Sequence, residues 1–225
     1  MNVYERIVEL LKQEPILQDF KYVKSEYAFV KRVNGVKYWL HLYHVFTFNI
    51  SMTIQPAAYV RYDVLEKWWE RFDFRSTRDH RGLYTVGVST DMIGFYPFFD
   101  FDYDGSNFDE MYPLLREATI QCVEYTFSTF KTMEDFYKEK VLPILEGKNE
   151  PPQLGSTWVF EYLTAGRILY PESYEKIKEI VMYYVEQRTL SGEPGIIKYK
   201  GKWGEILAYL ESLDFSSGKA KLPKK

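Results

Sequence analysis

The feature that most limits how this chain can fold is an Asn34-Gly35 pair set between two alternating runs. Tyr27-Ala28-Phe29-Val30-Lys31-Arg32-Val33 precedes it and Val36-Lys37-Tyr38-Trp39-Leu40 follows. Two adjacent residues that tolerate positive φ, flanked by strand patterns, specify a two-residue hairpin. A loop of that length pairs Val33 with Val36, so Phe29 faces Leu40 and Tyr27 faces Leu42. Both pairs fall on one side of the ribbon, so turn chemistry and apolar pattern demand the same register.

The second strand pattern is long. From Val36 to Ile54 the even positions are mostly apolar and the odd ones mostly polar. Fully extended, that run would span roughly 60 Å at about 3.3 Å per residue, too far for a compact domain, so a bend, bulge or break is expected near His44 to Thr47. Pro56 is expected to close the run. Ahead of it, Val3, Ile7, Leu10 and Leu11 recur at helical spacing, and that helix should stop near Glu14-Pro15. After it, Asp63 and Glu66 form a capping-box pattern before Leu65, Trp68, Trp69 and Phe72, and Gly82 to Ser89 alternates as a strand.

Beyond Phe99 the period changes from two to 3.6. The pattern predicts helices at about 108–130, 133–146, 156–169, 172–190 and 202–213, with breaks at Thr132, 147–152, Tyr170-Pro171 and 191–195. Strands first and helices afterwards indicate an α+β architecture: an N-terminal helix and an antiparallel sheet, then a mostly helical C-terminal half. The expected organisation is a sheet with flanking helices over 1–105, a helical part over 106–215 packed on it, and a basic flexible tail over 216–225. The 147–155 stretch is the candidate linker.

Composition narrows the functional classes. With 46% hydrophobic residues the chain is not disordered or low-complexity. The net charge of −3 argues against a nucleic-acid binder. Four lysines and no acid fall within 216–225, so the remainder is more acidic than the total. Cys122 is the single cysteine, so neither an intramolecular disulfide nor a cysteine zinc cage is expected, and its place on an apolar helical face reads as a small buried hydrophobe. The first residues lack a basic region followed by an apolar one, and no apolar run reaches the roughly 18–20 residues of a membrane span. A cytoplasmic protein with no membrane partner is expected.

The opening helix, Phe20-Lys21, the strand holding Phe29 and Lys31-Arg32, and above all Phe46-Thr47-Phe48-Asn49-Ile50 resemble the N-terminal part of an uncharacterised bacterial family of small α+β domains of unknown function. The resemblance covers residues 1–95 and carries no activity or catalytic residue. It implies bacterial origin, a cytosolic location and proximity to immunity or defence functions.

Four constellations are candidates for chemistry or binding. Asp100-Phe101-Asp102-Tyr103-Asp104-Gly105 matches the first half of a calcium loop, with carboxylates at alternate positions and a glycine for the turn. Its second half fails, because Met111 stands where the bidentate Glu belongs. A turn with Asn107 as N-cap and Glu110 as capping-box partner is the competing reading. A divalent cation on Asp100, Asp102 and Asp104 is the one cofactor these residues could imply; otherwise none is expected. His41 and His44, three apart on a strand, point to opposite faces and cannot share an ion without a bulge. His80 is the general-base candidate, but no nucleophile motif or phosphate-binding glycine loop accompanies it.

Arg71, Arg75, Arg78 and Arg81 concentrate positive charge in one segment, suited to a phosphate or an acidic partner, or else to a solvated loop with local ion pairs. Trp39 and Tyr43 lie among polar residues on the odd face of the long strand, where they form either a contact surface or core beneath the helices. The expectation is a non-enzymatic protein-protein interaction module of the immunity or defence-accessory kind, whose partner-binding residues are Trp39, Tyr43, Arg71, Arg75, Arg78 and Arg81. The alternatives, using the Asp100–Asp104 loop and the Arg71–Arg81 loop, are a divalent-metal-dependent hydrolase with His80 and a small-ligand-binding domain with an aromatic-lined cavity.

Overall fold

The computed structural model describes residues 2–47, 50–75, 79, 82–152 and 155–215. Phe48, Asn49, Arg78, His80, Arg81 and the 216–225 tail, each singled out in the sequence, lie outside the described residues. The architecture is α+β: an N-terminal helix, a six-stranded antiparallel sheet among the described residues, then a mostly helical half. The strands are β1 (Lys21–Val23), β2 (Ala28–Val33), β3 (Val36–Thr47), β4 (Ser51–Tyr62), β5 (Val86–Ser89) and β6 (Phe99–Asp102). Their order is β1-β2-β3-β4-β5, with β6 also paired to β4.

The hairpin forms in the demanded register. Val33 opposes Val36 and Phe29 opposes Leu40, with Asn34 at φ 49° and Gly35 at φ 82°. Tyr27 itself adopts a left-handed conformation (φ 48°) and ends β2, yet its carbonyl still accepts from the Leu42 N–H at 3.0 Å. The break in the long run comes just past Thr47, where the chain turns and returns as β4. Pro56 does not close that run. It lies inside β4, between Ser51–Ile54, which pairs with β6, and Ala57–Val60, which pairs with β5. A residue without an N–H is tolerated at that gap, where one partner has ended and the other has not begun.

The chain divides into two units, Met1–Val60 with Val86–Lys131, and Arg61–Thr85 with Thr132–Lys225. The boundary expected at 105/106 therefore falls inside unit 1. In unit 1 the Val3–Leu11 helix is capped by Asn2, whose side chain accepts from the Glu5 N–H while Glu5 reaches back to the Asn2 N–H, an arrangement worth about 1 kcal/mol. Its Ile7 and Leu11 are buried with Phe29, Leu40, Leu42, Ile54, Val60 and Phe101 of the sheet. Leu115, Ala118, Cys122 and Val123 of the Phe108–Thr129 helix are buried as well. Cys122 is the expected buried hydrophobe: its thiol donates to the Val88 carbonyl at 3.2 Å, and burial raises its pKa.

Unit 2 is built on aromatic packing. Trp69 stacks on Phe160 with centroids 4.4 Å apart and planes 9° apart, and Tyr199 and Trp203 complete the cluster. Trp68 Nε1 donates to Thr164 Oγ1 at 2.8 Å, which satisfies the polar tip that burying an indole would otherwise strand. The helices lie at Met133–Phe136, Leu142–Leu145, Thr157–Leu169, Tyr174–Leu190 and Trp203–Ser212, close to the periodic segments, with a π-helical turn at Tyr137–Val141 and a further short helix, Pro194–Ile197, that starts inside the break expected at 191–195. Asp63–Glu66 opens as a helix without the expected capping box. Asp63 instead accepts from Arg61 Nε and from Lys67 Nζ, the latter at 2.7 Å.

Candidate functional site

Trp39 does not present a contact surface. Its ring is 6% exposed, tilted against Tyr59 with centroids 5.4 Å apart, and Lys37 Nζ stands 4.4 Å from its centroid. Lys37 is also buried and pairs with Glu26 at 3.0 Å. The odd face of β3 is thus core at its proximal end and opens only at its distal end, where Tyr43 and Val45 are exposed. Of the two aromatic residues read as partner-binding on this face, only Tyr43 is accessible.

The distal end of β3 has a second property. Because the Leu42 N–H points out of the β2 edge to Tyr27, two-residue alternation directs the backbone groups of His44 and Phe46 out of the same edge. The pairing of β2 with β3 ends at Ala28 and His41, and on that side of β3 no described strand lies opposite His44 or Phe46. The side chains of those two residues turn to the other face and line a groove of about 500 Å³ with Tyr4, Val8, Tyr22 and Tyr27. The floor is aromatic and tightly interlocked: His44 sits 4.3 Å from the Tyr4 centroid, 4.6 Å from Tyr27 and 5.3 Å from Phe46. The Tyr4 and Tyr22 hydroxyls share a hydrogen bond at 3.0 Å, and burial, then that contact, raises the Tyr4 pKa. Phe46 and Tyr27 are exposed at the groove mouth, and Lys24 stands at its rim.

The two histidines occupy opposite faces, as the spacing requires. His41 packs near Tyr43 and Tyr59, and its pKa is lowered by burial first and by His44 second.

The acidic loop is organised by hydrogen bonds within itself and with Thr53. Asp100 and Asp102 fall on the exposed face of β6, opposite buried Phe99 and Phe101. Asp100 accepts from Thr53 Oγ1, Asp102 from Ser106 Oγ at 2.8 Å, and Asp104 from the Ser106 N–H at 3.0 Å. The last of these contacts lowers the Asp104 pKa. Asn107 occupies the N-cap position but does not cap with its side chain. It reaches back to β6 instead, accepting from the Asp102 N–H at 2.9 Å and donating to the Asp100 carbonyl at 3.1 Å. Among the described residues no group of three or more His, Cys, Asp or Glu side chains is placed to hold a metal ion.

Within the arginine-rich segment, Arg71 lies over Tyr209, its guanidinium carbon 4.4 Å from the centroid. Arg75 Nε engages both oxygens of Asp73 at 2.9 Å. Phe74, between them in sequence, is exposed and meets Tyr199, Lys198 and Lys202. Those two lysines were not singled out in the sequence, since more than a hundred residues separate them from Phe74.

A second feature of unit 2 that the sequence did not disclose is a pair of buried carboxyls. Glu161 of the Thr157–Leu169 helix is 4% exposed, and Glu66 of the Asp63–Glu66 helix is fully buried. Glu66 accepts from Thr85 Oγ1 at 3.0 Å. The Glu161 pKa is raised well above the usual glutamate range by burial first, then by the charge and hydrogen bond of Glu66; Thr157 and Arg61 oppose the shift more weakly. Two carboxyls in contact in a dry interior cannot both be ionised cheaply, so the pair keeps a proton to higher pH than a free glutamate does.

No family model, curated protein or solved structure matches the chain. No helix among the described residues is long and apolar enough to cross a membrane.

Proposed function

We propose that the chain is a protein-interaction module that captures an extended segment of a partner along the distal edge of β3. The observation that supports this is the coincidence, on one short stretch, of outward-directed backbone groups at His44 and Phe46 with exposed Tyr43, Val45, Phe46 and Ile50. An uncovered apolar edge is hazardous unless it has a use, because it templates strand pairing. Strand addition supplies main-chain hydrogen bonds for affinity, and pockets beside the edge read alternate side chains of the added segment. Here the aromatic groove beside His44 and Phe46 takes every second side chain.

The test is a displayed library of random peptides selected on the purified protein, with binders re-measured on two variants. Phe46→Pro removes one outward N–H while leaving the groups that face β4 in place, since those belong to residues 43, 45 and 47. Phe46→Ser keeps the backbone and removes the ring. Strand addition requires that both variants weaken binding, the proline variant by roughly tenfold for one lost hydrogen bond plus the ring. Binders that tolerate Phe46→Pro as well as wild type, or a selection that yields none, would refute it.

A further inference from the structure

Phe74 is 55% exposed, and cations surround it. Lys198 Nζ lies 5.3 Å and Lys202 Nζ 5.2 Å from its centroid. The two lysines are brought near the ring by a local turn in which the Lys202 N–H donates to the Tyr199 carbonyl at 2.9 Å. Tyr199 between them is fully buried and packs against Phe74 with centroids 5.2 Å apart, so the exposed ring stands on a fixed floor. Arg75 adds a third cation, positioned by its contact with Asp73 and by Trp69, whose centroid is 5.6 Å from the guanidinium carbon.

The charges around Phe74 do not balance. Asp73 is committed to Arg75, and neither Lys198 nor Lys202 has a carboxylate partner among the described residues. Burial first, and then the Arg75 charge, lowers the Lys198 pKa, against the weaker pull of Asp73. Contact with the Phe74 and Tyr199 rings holds the ammonium groups in place, and the positive excess they leave beside Arg75 is one that an anion would neutralise.

We propose that Arg75, Lys198 and Lys202 bind a phosphate monoester carried on a planar ring, with the phosphate between the two ammonium groups and the ring against Phe74. Lysine ammoniums serve as compact point charges for a dianion, and an exposed aromatic ring accepts a second ring by stacking. This site lies in unit 2 and does not depend on the strand-addition reading, which concerns unit 1.

The test titrates the full chain with phenyl phosphate and with inorganic phosphate at constant ionic strength, following backbone amides by NMR. The proposal requires saturable shifts centred on Phe74, Arg75, Lys198 and Lys202, with phenyl phosphate bound at least about fivefold tighter than inorganic phosphate. Lys198→Ala with Lys202→Ala should weaken both ligands at least about tenfold, Lys198→Arg with Lys202→Arg should restore binding, and Phe74→Ala should bring phenyl phosphate down to the level of inorganic phosphate. Since these side chains are on the surface, preserved amide dispersion elsewhere checks that the variants fold. Shifts that never saturate, or that survive loss of both lysines, would overturn the anion site. Equal affinity for the two ligands in the wild type would overturn the role of the ring.

Discussion

Glu161→Gln isolates the energetic consequence of the buried carboxyl pair. Glutamine is close to the protonated carboxyl in shape and keeps a carbonyl acceptor and a donor, with one N–H more, so the variant should fold as the wild type does while losing the titratable proton. In the unfolded chain a glutamate releases its proton near pH 4.3, about the ordinary value. In the folded chain burial and Glu66 hold that proton to higher pH. The folded state therefore binds more protons over that interval, and stability must fall as pH rises. The contribution is fully present below the unfolded pKa, and it is lost at up to about 1.4 kcal/mol per pH unit until the folded group itself ionises. For a chain of this size that slope corresponds to roughly 3–6 °C of melting temperature per unit. Urea melts followed by tryptophan fluorescence at half-unit steps from about pH 3.5 upward, on wild type and variant, give the difference directly. The two stability curves should coincide at the acid end and diverge with the variant above. Parallel curves would show that Glu161 titrates normally and that the pair is not as dry as its burial implies.

Three further outcomes follow from packing. Gly166→Ala places a Cβ 2.8 Å from Ile177 Cδ1 and 3.0 Å from its Cγ2; the clash should outweigh the gain in helix propensity and lower stability by about 1–2 kcal/mol, with Ile177→Val in the same chain recovering part of it, as read by chemical denaturation. Gly35→Ala forces a side chain onto φ 82° in the hairpin turn, which should cost about 1 kcal/mol in thermal melts without moving the register. Leu40→Ala, which empties a fully buried position opposite Phe29, should cost about 2–5 kcal/mol, and a loss under 1 kcal/mol would contradict its place in the core.

What the sequence discloses and what it hides separate along a physical line. Local signals were sufficient for the hairpin, because the turn residues and the apolar alternation both act within a dozen residues, and for the five long helical segments, whose periodicity repeats over several turns. Pro56 misled because a proline is excluded from a strand only if its neighbour needs the missing N–H, and the switch from β6 to β5 at that point is a tertiary fact. The FDFD alternation of Phe99–Asp102 carried a strand signal, but the carboxylates drew attention to metal chemistry instead. Trp39 is buried where its polar neighbours suggested a surface, since Lys37 and Tyr59 supply aromatic and cationic cover from the same sheet face. The groove joins Tyr4, Tyr22, Tyr27 and His44 from four separate segments, and the phosphate site joins Phe74 to Lys198 and Lys202. No spacing rule reaches across such gaps.

The way the chain interleaves its two units sets an order on synthesis. Unit 1 cannot be completed until Lys131 has left the ribosome, and the excursion Arg61–Thr85, already made by then, belongs to a unit whose remaining residues start at Thr132. With elongation at roughly 5–20 residues per second, Trp68 and Trp69 wait several seconds for Phe160 and Trp203. During that wait two large indoles lack the partners that bury them in the finished fold, so the nascent chain is at its most adhesive midway through translation, and slowing elongation after Lys131 should reduce yield more than slowing it before.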